Sequence, residues 1–98
     1  MGLRIRSWAN KNGYIRELWL FGSRAEGTSG PDSHVDLAVY LLPHSWAFGA
    51  YVALHKTWKE ELEAIVGHKV EFGAIEEGTK LEAEVKRNGM RLWARGDG

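Results

Sequence analysis

The sequence contains no cysteine, only two prolines and no excess of charge of either sign. Disulfides are therefore excluded as a source of stability. Lys and Arg together number 13, as do Asp and Glu, so no field of one sign attracts a polyanion and a dedicated nucleic-acid binder is disfavoured. No apolar run approaches the ~20 residues of a membrane span, and residues 1 to 13 lack the apolar centre of a signal peptide. These absences favour a soluble cytoplasmic protein.

The length of 98 residues predicts a single domain over 1–98, with one core of about two layers. There is little room for a second module. Any substrate domain is therefore expected on another protein.

Hydrophobic periodicity and breaker residues predict alternating helices and strands. We expect a helix over 2 to 11, a strand over 14 to 21, a central strand over 35 to 42, a helix over 45 to 66, a strand over 68 to 75, and a last helix that opens at 79 with a capping box, ends at 88 to 89 and precedes a short extension. This order predicts an α/β fold with helices packed on a small mixed sheet.

The predicted long helix carries apolar residues at intervals of three and four, which is typical of an amphipathic helix. Ser45 is expected to cap its start and Gly67 to end it. The residues expected to face the core are Trp46, Ala50, Ala53, Leu54, Trp58, Leu62 and Ile65.

The segment "FGSRAEG" places Gly22 and Ser23 directly after a predicted strand. In one interpretation Ser23 caps a short helix and Glu26, three residues on, completes a capping box. In the other, Gly22, the Ser23 hydroxyl and the free backbone N–H groups bind a phosphate, with Arg24 adding positive charge. The two interpretations are compatible, because an anion site is a helix start left open.

Asp32, His34 and Asp36 are spaced two apart at the entry of the central strand, so their side chains leave on the same face. Together they could hold a divalent cation beside a bound phosphate. Asp32 also suits an ordinary turn after Pro31. Asp36 interrupts an apolar strand, where a buried carboxylate is expensive unless it is paired or bound to a metal.

The segments "GSRAEG" and "PDSHVDLAVYL" resemble the signature of minimal nucleotidyltransferases of the polymerase-beta superfamily. In that family ten residues separate Gly-Ser from an Asp-any-Asp strand. Here the same spacing leads from Ser23 to His34-Val35-Asp36, with His34 at the first acidic position. Glu71 in "KVEFGAI" stands at the place of the family's third carboxylate, although it also suits an outward position on an edge strand.

The resemblance implies a nucleotidyltransferase that uses an NTP and Mg²⁺. Gly22, Ser23 and Arg24 would contact phosphate, His34, Asp36 and Glu71 would ligate metal, and Asp36 and Glu71 would be catalytic. Neutral imidazole is a poor ligand for magnesium but suits manganese or zinc. The site could therefore work with a softer metal or one magnesium ion, bind nucleotide without turnover, or bind neither, with a His34 imidazolium neutralising the carboxylates.

Two classes of function follow. One is an enzyme that transfers a nucleotidyl group to a partner protein or small molecule; the family often pairs with a helical HEPN protein in toxin–antitoxin fashion. The other is a non-catalytic nucleotide-binding or interaction module, antitoxin-like, for which five tryptophans could supply a docking surface if they are not core residues. A homodimer or a complex with a helical partner is expected in either case.

Overall fold

The computed structural model describes residues 2–21, 34–43 and 45–96. These ranges contain α1 (Gly2–Lys11), β1 (Ile15–Phe21), β2 (Val35–Leu41), α2 (Ser45–Val66), β3 (Val70–Ala74), α3 (Lys80–Asn88) and β4 (Met90–Ala94). The prediction of an α/β fold with helices on a small mixed sheet is confirmed. Within the same ranges, no helix is long and apolar enough to cross a membrane.

The four strands form one sheet in the order β3-β2-β1-β4. β1 pairs antiparallel with both β2 and β4, whereas β2 and β3 run parallel. A parallel pair needs a crossover connection, and α2 supplies it. β2 has a neighbour on each side, as its apolar sequence predicted.

The two faces of the sheet are covered by different helices. Alternation along β2 sends Leu37 and Val39 to the face covered by α1 and α2, where they pack with Trp58 and Leu62 in the larger core cluster. It sends Ala38 and Tyr40 to the opposite face, where they form a smaller cluster with Val85 of α3 and with Ile75. Asp36 has the same parity as Ala38 and therefore belongs to the α3 face.

The last segment corrects the sequence prediction, since the expected short extension forms β4. Leu18 of β1 pairs with Trp93 of β4. Trp93 is buried, and its indole Nε1 donates to Asn10 Oδ1 at 3.2 Å. A five-residue segment is too short to show a convincing period, and its strand conformation depends on pairing with a distant part of the chain.

The predicted ends of α2 and α3 are confirmed. Gly67 follows α2 with a φ of 79°, a conformation that favours glycine. Thr79 caps α3, and its hydroxyl accepts from the Glu82 N–H at 3.3 Å. Glu82 in turn accepts from the Gly78 N–H at 3.1 Å and from the Tyr40 hydroxyl at 2.6 Å, which fastens the start of α3 to β2.

The predicted inward stripe of α2 is only partly right. Trp58 and Leu62 are buried, and Ala50 and Ile65 pack partly against the core. The other three predicted core residues are exposed: Trp46, Ala53 and Leu54. Apolar residues occupy every side of the first half of α2, so spacing alone could not select the inward side there. The side chain of Ser45, the predicted cap, lies outside the described residues.

The tryptophans divide between core and surface. Trp58 and Trp93 belong to the larger core cluster, and Trp8 packs partly against it. Trp19 packs partly against the smaller cluster, whereas Trp46 is exposed. Most tryptophans thus stabilise the fold, and Trp46 is the one that an interaction surface could use.

Candidate functional site

The predicted acidic residues meet on the α3 face of the sheet. Asp36 lies at the start of β2, opposite Phe21 of β1 and beside Glu71 of β3. Residues paired in a parallel ladder point to the same face, and the two strands are about 4.8 Å apart. The sheet therefore brings the Asp36 and Glu71 carboxylates together, as the motif spacing predicted, although their roles stay predictions.

The sequence of β2 explains why Asp36 can stand there. Val35 and Leu37 on either side of it are buried in the larger core, which fixes the strand's orientation. Asp36 itself is half-buried because it lies near the end of the sheet, where water still reaches it. The predicted cost of a charge in an apolar strand is thereby reduced but not removed.

His34 contacts Glu71 directly. The distance from His34 Nδ1 to Glu71 Oε1 is 3.1 Å, and the two side chains are 49% and 61% exposed. An ion pair this open to solvent contributes little to stability. The contact matters because it places the His34 imidazole against Glu71, one of the predicted metal-binding carboxylates.

Burial and neighbouring like charge both disfavour ionisation of Asp36. Burial raises the pKa of Asp36 above its ordinary value of 3.8, and the Glu71 and Glu84 carboxylates raise it further, whereas His34 lowers it. An accumulation of carboxylates that disfavours ionisation is also a place where a bound cation would be favourable.

Glu84 is the site residue that the sequence interpretation missed. It lies on α3, three residues after Leu81 and next to Val85, and both of these pack against the α3 face of the sheet. Because a helix repeats every 3.6 residues, Glu84 is placed beside that packed stripe. The spacing of Leu81 and Val85 was visible in the sequence. The sequence did not show which end of the sheet α3 would approach.

The donor set suits a hard cation only in part. Asp36 and Glu71 offer the carboxylate oxygens that magnesium prefers, and His34 offers a nitrogen that suits zinc or manganese. In residues 2–21, 34–43 and 45–96, no group of three His, Cys, Asp or Glu side chains is arranged to hold a metal ion. Metal binding by His34, Asp36 and Glu71 stays a prediction.

The predicted phosphate-binding residues Gly22, Ser23 and Arg24 lie outside the described residues, as does Asp32. β1 ends at Phe21, which pairs with Asp36. The predicted loop therefore follows, in the sequence, a residue that is paired with Asp36. The proposed contacts of the loop with phosphate stay a prediction.

Comparison with known proteins identifies the class. The chain matches the family described as Polymerase beta, Nucleotidyltransferase over residues 4–97. The chain belongs to this family. No curated protein matches it.

Solved structures with the same fold include toxin–antitoxin complexes. A mutant form of the toxin–antitoxin MntA-HpeT is similar with a TM-score of 0.72 and 17% identity, covering 98% of this chain and 75% of that one. A toxin–antitoxin with AMP-PNP has a TM-score of 0.69 and 19% identity, covering 95% and 72%. The complex of tri-AMPylated Shewanella oneidensis HEPN toxin with MNT antitoxin has a TM-score of 0.58 and 16% identity, covering 96% and 73%. At these identities the likeness shows the fold.

Proposed function

We propose that the chain transfers a nucleotidyl group from an NTP to a partner protein or a small molecule. The observation that carries this proposal is the pairing of Asp36 with Glu71 on one face of the sheet, two residues from His34. Family membership supports it, since the match extends over both strands.

Asp36 and Glu71 would hold a divalent cation at the edge of the α3 face, beside the loop that contains Gly22, Ser23 and Arg24. The cation would neutralise charge on the triphosphate and help to orient it. The Ser23 hydroxyl, the neighbouring backbone N–H groups and the Arg24 guanidinium would bind the phosphate oxygens. The site residues would thus position a nucleotide with its phosphates toward the acidic pair.

The reaction joins an acceptor hydroxyl to the nucleotide. Its oxygen forms a bond to the α-phosphorus as the bond from that phosphorus to the bridging oxygen breaks, and pyrophosphate leaves. The hydroxyl proton must be removed by a base, and the Asp36 or Glu71 carboxylate would accept it. We assign positioning of the nucleotide to the whole set and proton acceptance to the acidic pair of Asp36 and Glu71.

A helical HEPN-type protein is the acceptor we propose. The Shewanella complex contains an AMPylated HEPN toxin and an MNT antitoxin, and its antitoxin-like fold is the one found here.

The contact between His34 and Glu71 favours a second candidate. An imidazolium at His34, 3.1 Å from Glu71, could take the role of a metal cation from within the chain. The protein would then bind nucleotide without turnover, or act as an antitoxin-like interaction module.

Turnover with a labelled nucleotide distinguishes the two candidates. The protein is incubated with an α-labelled NTP and Mg²⁺ or Mn²⁺, with and without a HEPN-type partner, and the label on protein and the released pyrophosphate are measured. We expect both products in stoichiometric amounts and a loss of at least about a hundredfold in Asp36→Asn, because a carboxylate ligand is removed. Label transfer that persists in Asp36→Asn contradicts the assignment, and no transfer with either metal favours the non-catalytic candidate.

A further inference from the structure

The first half of α2 exposes large apolar side chains. Trp46, Phe48 and Val52 are 77%, 54% and 57% exposed. Residues 45 to 55 contain no Lys, Arg, Asp or Glu, whereas residues 56 to 66 contain five such residues. A helix that is apolar on all sides is normally buried, and a contiguous exposed apolar patch marks an interaction site.

Gly49 lies in the interior of this half of the helix, where glycine is less favourable than alanine. Apart from its two chain neighbours and the adjacent backbone of its own helix, a methyl group at Gly49 would meet no described atom within 4 Å, and the φ of Gly49 is not positive. Neither packing against the described residues nor backbone conformation therefore requires glycine. A close approach by another backbone would require it.

The exposed side chains form ridges around this glycine. Ala53, one turn further on, continues the low stripe that Gly49 begins. Phe48 and Val52, also one turn apart, form a ridge on one side, and Trp46 stands on the other. Small residues at Gly49 and Ala53 thus leave a shallow groove between larger exposed apolar side chains, and we call Trp46, Phe48, Gly49, Val52 and Ala53 the α2 surface.

We propose that the α2 surface binds a second copy of this chain, with the two α2 helices crossing at Gly49. A two-fold interface needs a surface complementary to itself, and a groove flanked by ridges has that property. The absence of charged residues between 45 and 55 lets two copies face each other without burying like charges. The uncharged, apolar first half of α2 in one copy can therefore pack on the α2 surface of the other.

The size of the surface predicts a weak dimer. A standard interface buries about 800 Å² per partner, which is about an eighth of the 6039 Å² surface of this chain. Eleven residues of helix are about 16 Å long and cover less than this area. We expect a dissociation constant on the order of 10 to 100 µM.

The dimer is independent of the proposed enzymatic function. α2 packs on the face of the sheet that carries Leu37 and Val39, whereas Asp36 and Glu71 belong to the α3 face. Two chains joined through α2 therefore leave both acidic pairs accessible. Nucleotide binding is expected to be the same in the monomer and the dimer.

Sedimentation equilibrium of the full chain over a range of concentrations tests the proposal. Gly49→Leu fills the groove with a better helix former, so the fold should remain intact while association weakens about tenfold or more. Ala64→Leu is the matched control, because Ala64 is exposed on the charged half of the same helix. We expect this variant to associate like the parent.

Three results would overturn the proposal. The first is a parent that stays monomeric at several hundred micromolar, well above the dissociation constant expected for about this area. The second is a dimer that Gly49→Leu leaves unchanged. The third is a monomeric parent that binds a HEPN-type protein through the same residues, which would assign the α2 surface to that partner.

Discussion

Replacing His34 by Asp is expected to create, or strengthen, magnesium-dependent nucleotide binding. The variant adds a negative charge and a hard oxygen donor beside Asp36 and Glu71, and it removes the imidazole that now contacts Glu71 at 3.1 Å. We expect ATP with Mg²⁺ to bind about tenfold more tightly or better, as measured by isothermal titration calorimetry. Transfer activity should increase in the same variant.

Without metal, His34→Asp should be less stable than the parent. The new carboxylate would lie close to Asp36, where the charges of Glu71 and Glu84 already disfavour ionisation of the Asp36 side chain. Because the position is open to solvent, we expect a loss of about 0.5 to 1 kcal/mol in the free energy of unfolding. Adding Mg²⁺ should restore it, since a ligand that binds only the folded state stabilises that state.

His34→Asn is the matched control for this substitution. It has the shape of aspartate but no charge, so it removes the contact with Glu71 without adding a carboxylate. We expect it to bind magnesium no better than the parent. If the parent already transfers nucleotide with Mn²⁺ or Zn²⁺ and both variants lose this activity, His34 is a functional ligand and the prediction of a weakened site is wrong.

Asp36→Asn is expected to abolish metal-dependent nucleotide binding while making the protein more stable at pH 7. The carboxylate lies half-buried near Glu71 and Glu84, and both burial and these charges raise its pKa. Neutralising it removes that unfavourable charge. After allowance for solvent screening, we expect a gain of about 0.5 kcal/mol in the free energy of unfolding, measured by urea denaturation.

The raised pKa of Asp36 also predicts the direction in which the stability of the parent changes with pH. An aspartate whose pKa is higher in the folded state than in the unfolded state binds more protons when folded. Its favourable contribution is complete below the ordinary value of 3.8 and is lost as the pH rises through the raised folded pKa. The parent should therefore lose stability over that interval relative to Asp36→Asn.

Glu77→Gln is a suitable control for the stability measurement. Glu77 is exposed in the turn before α3 and does not contribute to the shift of the Asp36 pKa. We expect this substitution to change the free energy of unfolding by less than about 0.5 kcal/mol. An Asp36→Asn variant that is less stable than the parent would show that the carboxylate has a favourable partner, which supports internal neutralisation by His34.

Local patterns in the sequence were sufficient to predict most of the helices and strands. The apolar run of β2 with one acidic interruption indicated a central strand that presents Asp36, and the parallel register with β3 places Glu71 beside it. The strand that presents Asp36 was predictable because strand period is a local property, whereas the place of Glu71 followed from the family resemblance. The cap of α3 at Thr79 is local in the same sense, and it too was predicted, although Glu82 accepts from the Gly78 N–H rather than from the Thr79 N–H.

Features that depend on distant parts of the chain were not predictable. β4 is defined by pairing with β1, some seventy residues earlier, and its five residues carry no clear period. Glu84 joins the site because α3 packs across the end of the sheet near Asp36. Trp46 was expected in the core because its spacing fits that of the buried residues of α2. It is exposed, and spacing cannot show which part of a helix the sheet covers.

The central claim is that Asp36 and Glu71 hold a divalent cation next to a bound nucleotide, and paramagnetic Mn²⁺ tests it most directly. Amide signals of the isotope-labelled chain are recorded with ATP and substoichiometric Mn²⁺, which broadens signals of residues close to the ion. We predict that broadening centres on residues 34 to 38 and 70 to 73, that ATP shifts the signals of residues 22 to 27, and that Asp36→Asn loses both effects. Two results would contradict the account. One is broadening centred on residues 56 to 66, the charged half of α2. The other is an absence of broadening near Asp36 in both the parent and His34→Asp.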